Sequence, residues 1–308
     1  MKSSLFSLLF LSFNLIFSLS HADIDFDEQN MGSESIKDIK RPTPYSFQSH
    51  LDVVAPCKIK KSHFHKGDKL SFAETDIAIG TIVCFQPDIK EGARVGLAYT
   101  LTYLNWHENP YYDQNHFDTL SINLSAFTSR LENWFWRTQF SINMNTQEWS
   151  LPFTNYDWLV WGRYEYCKDV GLHFGFWAQT GMRMDRVYPI VGFDWKISEK
   201  WMLNVVYPVN ISLQYSITDR WYVSLAGRAF DSRQRLKKRS AYHKALIRYQ
   251  NTGAELLLGY TSANITGNIH VGTTLGGKYR IADSHNHHAE NLCLGASAYA
   301  GGEVDVSF

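Results

Sequence analysis

The stretch Asn133-Trp134-Phe135-Trp136-Arg137-Thr138-Gln139-Phe140-Ser141-Ile142-Asn143-Met144 decides the fold class. Alternate residues put Trp134, Trp136, Thr138, Phe140, Ile142 and Met144 on one face. The other face carries Asn133, Phe135, Arg137, Gln139, Ser141 and Asn143. Side chains of a strand alternate between its faces, so this is a strand with one apolar, aromatic face and one largely polar face. Its length meets the ~9–11 residues a strand needs to cross a bilayer.

The pattern recurs. Segment 117–126 sets Leu120, Ile122, Leu124 and Ala126 against Thr119, Ser121, Asn123 and Ser125. Tyr156, Trp158, Val160, Gly162, Tyr164 and Tyr166 oppose Asp157, Arg163 and Glu165, although Leu159 and Trp161 blur the polar side. Val170, Leu172, Phe174, Phe176 and Ala178 oppose His173 and Gln179. Helical spacing is poor in these windows, and β-branched and aromatic residues are frequent. A near-repeat is more specific. Trp195-Lys196-Ile197-Ser198-Glu199-Lys200-Trp201 matches Tyr215-Ser216-Ile217-Thr218-Asp219-Arg220-Trp221 in character. Each reads as a hairpin closed by a tight polar turn with aromatics beside it.

Composition fits this architecture. The chain of 308 residues holds 30 basic and 30 acidic residues, and charged residues reach only 19%, below the usual ~25%. The balance argues against a nucleic-acid partner. Aromatics make up 15%, with 17 Tyr and 10 Trp, as a lipid-facing belt with interfacial Trp and Tyr requires. Residues 1–22 carry Lys2, an apolar stretch from Leu5 to Leu19 and Ser20-His21-Ala22. They read as a cleaved signal peptide, so export is expected. Residues 23–45, acid-rich with Gly32, Pro42 and Pro44, read as a flexible periplasmic lead-in, and 46–308 as the barrel. Fifteen candidate segments run from 47–54 to 292–308, with 243–250 and 252–261 counted separately and some early ones counted as lead-in or plug. Single-chain bacterial barrels use even numbers, and twelve strands are expected, with ten or fourteen as alternatives.

The last segment presents Val304, Val306 and Phe308 on one face. That aromatic ending, Tyr188-Pro189-Ile190-Val191-Gly192-Phe193-Asp194-Trp195 and the two aromatic hairpins resemble an uncharacterised family of Gram-negative outer-membrane β-barrel proteins. The resemblance is best over residues 180–308. It implies an all-β, closed antiparallel transmembrane barrel in the outer membrane, with Phe308 as its assembly signal. It implies outer-membrane lipid, lipopolysaccharide and the barrel-assembly machinery as partners, and transfers no catalytic residue.

Candidate chemistry is sparse. Arg137, Arg163, Glu165, His173, Arg228 and Glu255 fall on polar faces and are expected to point into the lumen, filling it or lining a selective pore. Asp283-Ser284-His285-Asn286-His287-His288 could offer metal ligands, but reads better as a polar loop, so no metal or cofactor is expected. The run Arg233, Arg235, Lys237, Lys238, Arg239 and Lys244 reads as a solvated loop, or as a surface for lipopolysaccharide phosphates. Cys57, Cys84, Cys167 and Cys293 fit neither a zinc nor a dense disulfide pattern; bridges within the chain, disulfide partners outside it, and free thiols all stay open. A lipase-type enzyme would need a serine–histidine pairing, and no serine-centred motif is present. A small passive diffusion channel is therefore the expected function, with a structural or adhesive closed barrel as the alternative.

Overall fold

The computed structural model describes residues 43–60, 68–86, 90–107, 109–183, 185–208, 210–237 and 244–308. The expected signal segment and all but the last residues of the expected lead-in lie outside them.

The chain is all-β. The first eight strands are β1 (Tyr45–Lys58), β2 (Lys69–Gln86), β3 (Glu91–Trp106), β4 (His116–Thr128), β5 (Trp134–Asn145), β6 (Thr154–Cys167), β7 (Val170–Gly181) and β8 (Arg186–Lys196). They are followed by β9 (Trp201–Tyr207), β10 (Asn210–Ser216), β11 (Trp221–Arg235), β12 (Leu246–Thr261), β13 (Ile265–Thr274), β14 (Lys278–Ala282), β15 (Glu290–Cys293) and β16 (Ala298–Ser307). All pairings are antiparallel neighbours in sequence until β12, and the ring closes through β12–β13, β13–β16 and β16–β1.

β14 and β15 are not separate staves. Thr273 pairs with Ala298 and Lys278 with Cys293, so β14–β15 keeps the register of β13–β16. Likewise Val54 pairs with Tyr299 and Ile59 bridges Leu294. β13–β14 and β15–β16 are thus two staves, each broken once, and the barrel has fourteen. At the first break Gly276 has φ +103°, which an L side chain rarely adopts. Beside it, a Cβ on Gly277 would lie 1.9 Å from the Gln250 carbonyl oxygen. The expectation of twelve strands is corrected. β1 and β2 are staves rather than lead-in or plug, 243–250 and 252–261 form the single strand β12, and the short β9–β10 hairpin counts in full.

The polarity is that of a protein turned inside out. On β4, Thr119, Ser121 and Asn123 are buried while Leu124 is 49% exposed. On β5, Gln139, Ser141 and Asn143 are buried and Phe140 is exposed. A water-soluble sheet protein would bury the other set. One end of the barrel carries turns of two to five residues; the other has connections of two to ten, five of them seven or longer. Aromatic pairs ring the short-turn end: Trp134–Tyr164 at 5.0 Å, Trp201–Tyr215 at 4.9 Å, Trp221–Tyr260 at 5.0 Å and Tyr45–Phe308 at 5.9 Å. The two near-repeat turns close alike. Ser198 Oγ accepts from the Lys200 and Trp201 amides, and Thr218 Oγ1 from those of Arg220 and Trp221.

Above the seven-residue β9–β10 hairpin the wall is low. β10 pairs with β11 only as far as Gly227, and β8 pairs with β9 only from Val191 onward. Beyond that point the upper ends of β11 and β12 are buried on both faces, from Phe230 to Arg235 and from Leu246 to Tyr249. One face, with Phe230, Ile247 and Tyr249, packs on inward side chains of β1–β3. Phe72 stacks on Tyr249 at 4.5 Å and meets Phe230 edge-on at 5.9 Å. The other face, with Asp231, Arg233, Arg235 and Arg248, meets Asp157 on β6, Arg186 on β8 and Phe153 just before β6. The hairpin therefore crosses the interior of the upper barrel. Leu159 and Trp161, which blur the polar face of β6 in sequence, join Phe135, Trp177, Ile190 and Val206 in a second interior apolar cluster.

Candidate functional site: the charged interior

Arg228 organises the lower interior. Its Nε donates to Glu255 at 2.7 Å, Nη1 to Asp52 at 3.3 Å and Nη2 to Glu303 at 2.9 Å. One guanidinium thereby links β11 to β1, β12 and β16, the staves that close the ring. The planar fork suits this, since it can serve several carboxylates at once. His270 extends the network, with Nε2 2.6 Å from Asp52 Oδ1 and Nδ1 2.9 Å from Asn268 Oδ1. Asn268 Nδ2 donates to Glu303 at 3.0 Å, which fixes the amide's orientation. Gly301 makes room: a Cβ there would lie 2.1 Å from Asp52 Oδ1 and 2.4 Å from His270 Nε2.

A second network sits on β6–β8. Arg163 grips Asp194 with two bonds of 2.9 and 2.8 Å, and Glu165 lies 3.5 Å away. His173 is fully buried between Asp194, 2.5 Å from Nε2, and the Trp161 indole, which donates to Nδ1 at 3.0 Å. Both ring nitrogens are engaged, so His173 has no lone pair to offer a nucleophile. Arg137 bonds Gln139 on the same inward face. All six residues singled out in the sequence thus sit on inward faces, but in separate places: Arg228 with Glu255, Arg163 with Glu165 and His173, and Arg137 apart.

Sequence reasoning missed most of their partners. Alternation puts Asp157 on the polar face of β6 with Arg163, and Asp52 opposite Leu51 and Val53. Nothing local announces that Asp52 meets a guanidinium 176 positions later.

The basic run is corrected. Arg233 and Arg235 belong to β11 and are each 3% exposed. Arg233 reaches Asp157 on β6 at 3.4 Å. Lys238 and Arg239 lie outside the described residues. No disulfide joins the four cysteines to one another; Cys57 is buried while Cys84 and Cys167 are exposed. In the histidine loop, Asp283 Oδ1 accepts from the His285 and His287 amides, which holds that carboxyl below its usual range. A small recess lies on the inner side of β9–β11, lined by Asn204, Ser212, Gln214, Ser224 and Arg228 together with Tyr222 and Leu257.

Residues 160–289 match the model of a domain of unknown function, DUF6268. The match spans 130 of the 308 residues and includes Tyr188–Trp195 and both aromatic hairpins. An uncharacterised protein of Chlamydia pneumoniae is 24% identical over 289 residues, covering 87% of this chain and 88% of its own. One of Chlamydia trachomatis is 22% identical, covering 64% and 63%. Among solved structures, an outer membrane channel from Pseudomonas putida F1 is similar at a TM-score of 0.49 and 6% identity, covering 89% of this chain and 99% of its own.

Proposed function

We propose that this chain is an integral outer-membrane β-barrel that acts as a small-bore diffusion channel. The inverted polarity carries the reading. The fourteen staves close into one ring, with edges left unpaired on β8 and β11 above the short β9–β10 hairpin; closure is the condition for crossing lipid with strands. Its outward surface is apolar, with exposed Leu124, Phe140, Val191, Leu225 and Ile269, and its inward surface is polar. Short turns at one end and long connections at the other suit periplasmic and extracellular sides. Within the lumen, the recess along β9–β11 presents polar side chains of Asn204, Ser212, Gln214 and Ser224, as a path for small hydrophilic solutes requires. A wide pore is disfavoured, because the β11–β12 hairpin and its aromatic contacts occupy the upper half.

The test is conductance of the refolded chain in planar bilayers. Small discrete steps are expected; their absence at any voltage would refute the channel. A second reading, a closed structural barrel, is favoured by the Arg233–Asp157 link between β11 and β6, and that negative result would support it. Lipid, lipopolysaccharide and the assembly machinery remain the proposed partners.

A further inference from the structure

The inward-folded hairpin creates an unusual charge distribution. Arg233, Arg235 and Arg248 lie on its face toward β6–β8, with Arg280 paired beside Arg248 in the sheet. From the other side come Arg186 on β8 and Arg183 in the connection before it. Arg235 is close enough to Arg183 for mutual repulsion, and Arg280 to Arg186. These six guanidiniums face two inward carboxylates. Asp157 pairs with Arg233 at 3.4 Å. Asp231 receives Arg248 Nε at 2.8 Å and lies 3.9 Å from Arg186. The nearby loop acids are engaged elsewhere: Asp185 with Thr180 and the Gly181 amide, Asp283 with its own loop amides. Those bonds come from neutral donors, so counting all four acids, six guanidiniums leave a formal excess of two positive charges.

Arg235 is the sharpest case. It is 3% exposed, and among the described residues no carboxylate pairs with it. Nη1 donates to two backbone carbonyls, of Lys244 at 3.2 Å and Ser284 at 3.4 Å. Its guanidinium carbon lies 5.7 Å from the Phe153 ring centre. Its buried Nε has no hydrogen-bond partner. A buried cation without compensation is costly, and an unused N–H on a guanidinium suits an oxyanion. The arginines also grade outward, from buried Arg235 through half-buried Arg280 and Arg186 to exposed Arg183, which leads a negative solute inward.

We propose that this arginine cluster, between the β11–β12 hairpin and the upper ends of β6–β8, binds a soluble multivalent oxyanion, a phosphate or polycarboxylate. The site takes its ligand whether or not the barrel conducts, so its test is binding rather than current.

The refolded full chain in detergent is titrated calorimetrically with inorganic pyrophosphate. Saturable binding is expected, weakening as salt rises. Arg235→Gln, which removes charge but keeps polarity, should weaken it by about tenfold or more, as loss of a charge-assisted bond implies. Asp157→Asn removes a competing carboxylate and should tighten binding, so the two variants move in opposite directions. Both are first checked for folding by heat-modifiable gel migration, and Arg183→Gln at the exposed rim serves if Arg235→Gln misfolds. No saturable binding to the wild type, or equal affinity in a folded arginine variant, would overturn the proposal. Displacement of bound pyrophosphate by lipopolysaccharide micelles would place the ligand on an outer lipid and overturn the soluble-anion assignment.

Discussion

Replacing Arg228 with Met should destabilise the barrel more than almost any other single change. The guanidinium is surrounded by Asp52, Glu255 and Glu303 at 3.3, 2.7 and 2.9 Å. Its side chain is 9% exposed, and those of Asp52 and Glu255 are 3%. Removal leaves three carboxylates facing one another with little water to screen them. Stripping one partner from a buried ion pair costs about 3–5 kcal/mol. Glu303 is 31% exposed and is discounted accordingly, but the two deeper acids alone reach that range. Arg228→Lys keeps the charge and loses the fork, so it should cost less, roughly 1.5–3 kcal/mol for a lost bond to a charged group. Urea unfolding of the barrel in phospholipid vesicles, followed by tryptophan fluorescence, measures both. Adding Asp52→Asn and Glu255→Gln to Arg228→Met should restore part of the loss. A cost under about 1 kcal/mol, the scale of an exposed pair, with no rescue, would refute the reasoning.

Other outcomes follow from the same geometry. Gly301→Ala should break the His270–Asp52 contact, since its Cβ would sit 2.1 Å from Asp52 Oδ1; in the same assay its cost should be non-additive with that of Arg228→Met. Deleting Phe308 removes its two 3.0 Å backbone bonds with Tyr45 and a ring contact at the ring-closing seam. Slower, less complete insertion into vesicles is expected, and a wild-type rate would show that the seam forms without it. The histidine loop should be ordered above pH 3.8, the ordinary carboxyl value. Because the folded Asp283 value is depressed, that order is lost as pH falls through it, and amide exchange at His285 and His287 should speed up there. Unchanged protection in acid would contradict the Asp283 cap.

The wall of the barrel was legible residue by residue, because alternation of period two is local information. Trp134 to Met144 suffices for one stave, and the aromatic hairpins at Trp201 and Trp221 fix two turns. The stave count was harder. A break such as Leu275-Gly276-Gly277 looks like a turn in sequence, and only the shared register of β13–β16 and β14–β15 reveals one stave. The interior was harder still. Arg233 and Arg235 lie in a basic, loop-like run, and alternation says nothing about a strand covered on both faces. Asp52 and Arg228 meet because the ring closes, a contact between distant positions that no local pattern encodes.

The central claim is that the apolar faces meet lipid and the polar faces do not. In a background with its four cysteines replaced by serine, single cysteines at successive positions from Arg137 to Asn143 on β5 are labelled with a fluorophore. Quenching by brominated phospholipid is then read in vesicles. Strong quenching at Thr138, Phe140 and Ile142, with little at Arg137, Gln139, Ser141 and Asn143, is the expected result. Uniform quenching, no quenching or the opposite alternation would contradict a membrane barrel built this way.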